Sequence, residues 1–205
     1  MNKILTLLGG AFTAAGLLFA LPQSAAAFPM PMRVIGKANP PIGHYEYCKT
    51  NAADCTPTSA SANVSPETLD ETKWRTILDV NYTVNTEIQP ETDQEIYGVE
   101  ERWAIPTTVG DCEDYVLLKR RELIKRGFAP GNLLITVVLQ PSGEGHAVLT
   151  VRTDRGEFIL DNMRNKVLAW DETEYTYLKR QASDNPGRWV KLQDGRAGTV
   201  STVKY

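Results

Sequence analysis

Apolar and polar positions along the chain predict two helices followed by a run of strands. Ser65-Pro66 has the form of a helix start, with serine as the N-cap and proline in the first helical position. Leu69, Trp74, Ile77, Leu78 and Val80 then make a broad apolar face, predicting a helix to about Thr83 or beyond that ends before Pro90. Asn81 and Asn85 fall inside it although asparagine is a poor helix former; either a neighbouring loop takes their amides or they face water. Residues 86–109 are mixed. A second helix is predicted from Asp111, a good N-cap, to Gly127, which can close it in the left-handed conformation. Cys112, Val116, Leu117, Leu123 and Ile124 share one arc of this helix, and Arg120 interrupts it, so that its head must snorkel or find a carboxylate.

The nearly continuous apolar run from Asn132 to Gln140 predicts a central strand covered on both faces. Pro141-Ser142-Gly143 breaks it as a turn. His146–Thr153 and Glu157–Leu160 read as two further strands joined by an Asp154-Arg155-Gly156 hairpin turn, with Asp161-Asn162 ending the second. Residues 28–47, rich in proline, read as an extended, irregular lead-in. Helices followed by an antiparallel sheet make an α+β layout, with no internal repeats and no second domain.

Composition changes this picture at the N-terminus. Lys3, the apolar run from Ile4 to Ala20 and the small residues Ala25-Ala26-Ala27 have the form of a secretory leader, with cleavage expected after Ala27. The mature chain, 28–205, is then one domain of ordinary size, exported to the periplasm or the medium. The formal net charge of −3 becomes about −4 once Lys3 is removed, which argues against general nucleic-acid binding. Of three cysteines, Cys48 and Cys55 lie close together in a polar stretch and, in an exported protein, read as a disulfide. Closing a loop of roughly 8 residues is worth about 2.5 kcal/mol in chain entropy. The alternatives are two free thiols or half of a metal site. Cys112 is left as an odd thiol in an oxidising compartment.

A thiol in the first turn of a helix is biased toward the nucleophilic thiolate. It needs a base, and the base needs an orienting group. With only two histidines in the chain, the choice is short. His44 sits in the lead-in, beside the expected disulfide. His146 opens a strand after a glycine turn, and a hairpin would bring Asp161 to the same end. The alternatives are a buried inert cysteine, a histidine packed for shape and an aspartate serving its turn. Asp111, Glu113 and Asp114 crowd the thiol, and like charge raises its pKa.

The order of helix cysteine, strand histidine and strand aspartate resembles the papain-like and transglutaminase-like fold. The motif Gly110-Asp111-Cys112-Glu113-Asp114-Tyr115 resembles the bacterial transglutaminase-like cysteine proteinases. The resemblance extends to Trp74, Val80-Asn81, Trp103, Gly145-His146-Ala147, Leu160-Asp161-Asn162 and Asn185-Pro186-Gly187-Arg188-Trp189. It implies a Cys112, His146, Asp161 triad. It also implies calcium held by Asp111, Glu113 and Asp114, which are hard oxygen donors; capping and helix-dipole complementarity are the alternative use of these carboxylates. The implied activity is an exported cysteine peptidase acting through a thioester on an envelope or surface protein, with a membrane receptor as a candidate regulator. The oxyanion would be held by the Cys112 backbone N–H and a second donor, for which the Trp103 indole is a candidate. Competing readings are a protein-crosslinking acyltransferase and a calcium-dependent interaction module without enzymatic activity.

Overall fold

A computed structural model of the chain describes residues 30–57 and 64–193; the leader expected at residues 1–27 lies outside them. The elements run β1 (Arg33–Ala38), α1 (Ile42–Thr50), α2 (Ala52–Cys55), α3 (Glu71–Glu87), β2 (Gln89–Pro90), α4 (Asp93–Tyr97), β3 (Val109–Gly110) and α5 (Cys112–Lys125). The strands β4 (Leu133–Leu139), β5 (Gly145–Thr153), β6 (Gly156–Asp161), β7 (Arg164–Ala169), β8 (Thr176–Ala182) and β9 (Asn185–Gln193) follow. Among the described residues no helix is long and apolar enough to cross a membrane.

Seven strands form one antiparallel sheet in the order β1-β9-β8-β4-β5-β6-β7. β4 lies at its centre, as its nearly continuous apolar run leads one to expect. Alternation then sorts the side chains. Leu133, Ile135, Leu149, Val151 and Leu160 join Ile77, Val80 and Val84 of α3 and Val116 and Leu123 of α5 in the main core. Val138, Val148 and Ile159 point the other way, into a second cluster with Met32, Trp170, Tyr175 and Tyr177. The sheet is therefore covered on both faces, by helices on one and by aromatic side chains on the other.

Three expectations differ from what forms. The lead-in is not irregular: β1 pairs with β9, and α1 follows. β1 is an exposed edge strand, and the buried face of α1 is Gly43, His44 and Tyr47, so neither carries an apolar signal. The helix expected from Ser65-Pro66 begins instead at Glu71, capped by Asp70, whose side chain accepts the Lys73 N–H at 2.7 Å. Residues 65–69 are held extended because Glu67 bridges to Thr153 and its carboxylate takes the Ala129 N–H at 2.7 Å. Arg120 does not snorkel: it is buried and donates from Nε to the Leu133 carbonyl at 3.1 Å, and although the Asp54 charge acts on it, no ion pair forms among the described residues. Gly127 does close its helix, at φ 89°.

Asn81 and Asn85 serve a neighbouring loop. The Asn81 amide donates to the Arg164 and Asn165 carbonyls at 3.2 and 3.1 Å, and the Asn85 amide to the Asp161 and Arg164 carbonyls at 2.9 and 3.2 Å. Two poor helix formers on α3 thus tie down the β6–β7 turn, which begins at Asp161. Asn85→Ala should destabilise the fold by about 1–3 kcal/mol, because it takes this donor from the Asp161 carbonyl and leaves the Arg164 carbonyl to Asn81 alone. Urea unfolding measures this, and an unchanged midpoint would show that the turn needs no anchor.

Candidate active site

α5 delivers the thiol. Cys112 is its first residue and is half-buried. Its Sγ lies 3.1 Å from Glu113 Oε2 and accepts the Ala147 backbone N–H from β5. Burial pushes the thiol well above its ordinary value; the Glu113 charge and hydrogen bond add to this, and the Ala147 N–H opposes it.

The β5–β6 hairpin supplies the other two groups, in the register Leu149↔Leu160 to Thr153↔Gly156. His146 Nε2 sits 3.0 Å from Asp161 Oδ1, both side chains being buried. That bond leaves Nδ1 as the ring nitrogen for a second partner. Burial tends to raise the Asp161 carboxyl, but hydrogen bonds from His146, Tyr175 and the Met163 N–H outweigh it and hold the group below the usual carboxylate range. Cys112 and His146 line one cleft of about 270 Å³ together with Trp103, Glu113, Pro41 and Lys179. The thiol, imidazole and carboxylate named from the sequence are thus brought to one place, with the histidine already oriented by the aspartate.

The acidic residues divide differently from expectation. Asp111 occupies the N-cap position but makes no capping bond with its side chain. Instead, oxygens of Asp93, Asp111 and Glu113 lie within 4.8 Å of one another. Asp93 is 2% exposed; its Oδ2 takes the Arg102 N–H, while its Oδ1 and the Asp111 Oδ1 are buried with no hydrogen-bond partner among the described residues. Asp114 stands outside this group: its Oδ1 accepts the Ala104 N–H at 2.7 Å, and it packs against Gly110. Burial, then the Asp111 charge, pushes Glu113 up to about 8, and burial above all pushes Asp114 up to about 7. Converging hard oxygens with unmet buried lone pairs suit a calcium ion. Asp93 was not singled out by sequence. A local sign of α4 existed in Thr92 and Glu95, which form a capping box, but nothing local places α4 beside α5. The parallel pairing of β2 with β3 does so, through Gln89↔Val109 and Pro90↔Gly110.

The family model for bacterial transglutaminase-like cysteine proteinases (BTLCP) matches residues 34–197. The chain belongs to this family. No curated protein matches it. Solved structures to which it is similar include Legionella pneumophila LapG, at 23% identity and a TM-score of 0.48, covering 58% of this chain and 68% of that one. They also include the same protein calcium-bound, at 22% identity and a TM-score of 0.49 over 64% and 74%. The EGTA-treated form matches at 22% and 0.48 over 62% and 74%.

Two further groups in this cysteine proteinase bear on the cleft. Trp103 lines it, but its indole N–H is given to Glu101 Oε1 at 2.8 Å, so the candidate second oxyanion donor already has an acceptor. His44, the other histidine, is buried between Trp103 and Trp189, with ring centroids 5.4 and 5.3 Å away. Trp189 Nε1–H donates to its Nδ1 at 3.2 Å and the Gln181 amide nitrogen faces its Nε2 at 3.1 Å. Burial, then the Arg120 charge, pushes its pKa down to about 4. Cys48 and Cys55 are joined as a disulfide, with Cα atoms 5.7 Å apart. Cys48 Sγ lies 3.6 and 3.7 Å from the two His44 ring nitrogens, a near-equality that places it over the ring face rather than on a lone pair. His44 and the two sulfurs are packing, not a metal site.

Proposed function

We propose that the chain is an exported peptidase that cleaves a protein of the cell envelope or surface through a thioester on Cys112. The single observation that carries the reading is the His146 Nε2–Asp161 Oδ1 contact of 3.0 Å, in the cleft that also holds a thiol at a helix N-terminus. Sγ attacks the peptide carbonyl as its proton passes to His146 Nδ1. The tetrahedral oxyanion forms beside the Cys112 backbone N–H, which has no intrahelical acceptor. His146 then protonates the leaving amine as the C–N bond breaks, and Asp161 keeps the ring in its tautomer throughout. Water attacks the thioester carbonyl, giving its proton to His146; the C–S bond then breaks, freeing the carboxylic acid product, and His146 returns the proton to Cys112 Sγ.

Asp93, Asp111 and Glu113 are the residues that would hold calcium; bound there, it supplies positive charge that neutralises the carboxylates crowding the thiol. With that charge met, Glu113 no longer opposes ionisation of Cys112. A membrane-bound receptor remains the candidate regulator, in keeping with a substrate anchored at the envelope.

The test compares protein N-termini in envelopes of the source cell carrying wild-type or Cys112→Ala protein. One envelope or surface protein should persist uncut in the variant and lose its new N-terminus. An unchanged set of N-termini would overturn the peptidase reading, and amine mass added at glutamine would replace it with crosslinking.

A further inference from the structure

We infer that Tyr175, together with Arg164, is a positioning residue that holds the Asp161 carboxylate, and through it the His146 ring, in the orientation that serves Cys112. The inference rests on the triad reading above and adds to it the side chains that fix its outer member.

The two oxygens of Asp161 are divided between separate tasks. Oδ1 faces His146 Nε2 at 3.0 Å and takes the Met163 N–H at 3.0 Å. Oδ2 takes the Tyr175 hydroxyl at 2.6 Å and lies 3.2 Å from Arg164 Nε. A carboxylate bound at one oxygen alone can swing about its Cβ–Cγ bond; donors on the second oxygen fix its plane. Asp161 is 1% exposed, so bulk water does not meet its charge and the protein must supply the donors.

Tyr175 also touches the histidine itself. Its ring lies 5.6 Å from the His146 ring, tilted by 54°, so one side chain bonds the aspartate and bounds the imidazole. Tyr175 comes from the aromatic cluster on the sheet face away from the helices, a rigid support independent of α5. Arg164 pairs with Asp161 across β6 and β7, reaches the Tyr175 hydroxyl from Nη2 at 3.4 Å and lies 5.3 Å over its ring. Asp161, Arg164 and Tyr175 therefore brace one another in a closed triangle. If Tyr175 merely filled the back cluster, its hydroxyl would matter for stability and leave the thiol untouched.

Iodoacetamide separates these cases, because it is small and neutral and needs no peptide-binding subsite. Its reaction with Cys112 of the full chain, in calcium-containing buffer at neutral pH, is followed by mass spectrometry. Tyr175→Phe should slow alkylation about tenfold, the scale of one charge-assisted hydrogen bond. In an Asp161→Asn background the same change should have less than about a twofold effect, since the hydroxyl then has no charge to hold. Arg164→Lys should keep most of the rate that Arg164→Met loses, which preserves a test if Tyr175→Phe folds poorly. The His146 Nε2 proton, slow to exchange while bonded to a buried carboxylate, should broaden in the NMR spectrum of Tyr175→Phe. Wild-type alkylation with an intact Nε2 signal overturns the inference, as does equal slowing in both backgrounds. Should His146→Ala itself leave the rate unchanged, the triad reading falls and this inference with it. A normal His146→Ala effect beside a silent Tyr175→Phe removes this inference alone.

Discussion

Cys112→Ser should leave no measurable peptide cleavage, and His146→Ala should do the same, while the melting temperature of each stays within about 3 °C of wild type. The expected loss is on the order of 10³-fold or more, because each removes a partner without which the thioester cannot form. Serine is nearly isosteric with cysteine, and the cleft in which Cys112 lies gives the fold little to lose. Asp161→Asn should cost less, about 10²-fold, because the amide can still pack against Tyr175 but no longer stabilises the imidazolium that forms on His146. His44→Ala is the contrasting control. His44 lies between two tryptophans and its Nδ1 accepts the Trp189 indole N–H, so its removal should lower stability by about 2–4 kcal/mol through the cavity and the unmet donor. Hydrolysis of the substrate identified from envelope N-termini, measured alongside thermal unfolding, separates the two histidines. Loss of turnover in His44→Ala with an unshifted melt would reverse their assignments.

Calcium should raise the melting temperature by about 5–10 °C at pH 8 and by far less at pH 5. The difference follows from the sign of the carboxyl shifts. Burial pushes Glu113 from 4.5 up to about 8 and Asp114 from 3.8 up to about 7, with Asp111 also raised. A folded chain with raised carboxyls holds protons that the unfolded chain has already lost. Their stabilising effect is full below the unfolded values near 4, and it is lost as pH climbs through 7 to 8. Asp161 has the opposite sign, its carboxyl being lowered, so its contribution is lost only in acid, below 3.8. The metal-free protein should accordingly melt at progressively lower temperature from pH 5 to pH 8. Calcium replaces the missing protons as the counter-charge, so binding near pH 6.5 should also release protons, seen calorimetrically as a heat that depends on the buffer's ionisation enthalpy. Glu113→Gln and Asp93→Asn should each weaken both effects. An absence of binding heat at millimolar calcium, with the same melt at both pH values, would refute the cation reading of these carboxylates.

Much of the scaffold was legible because it rests on short-range pattern. The nearly continuous apolar run at 133–139 reads as a strand covered on both sides, and β4 is the centre of the sheet. The turn at Gly156 sets the β5–β6 register, and that register alone brings His146 and Asp161 to one end. A cysteine after an aspartate in the N-cap position, at the start of an amphipathic run, opens a helix as its local pattern predicts. Tertiary structure decided what depends on partners distant in the chain. Ser65-Pro66 has every local mark of a helix start, yet a bridge to Thr153 and a buried carboxylate on Glu67 hold it extended. Asp93 joins Asp111 and Glu113 because β2 meets β3, and no periodicity announces a two-residue pairing. Tyr175 and Arg164 meet Asp161 through the stacking and pairing of strands, and Trp103 gives its N–H to Glu101, contacts that follow from where whole elements come to rest. Hydrophobic period specifies which face of an element is buried; which polar groups meet across that face is set only when the elements pack.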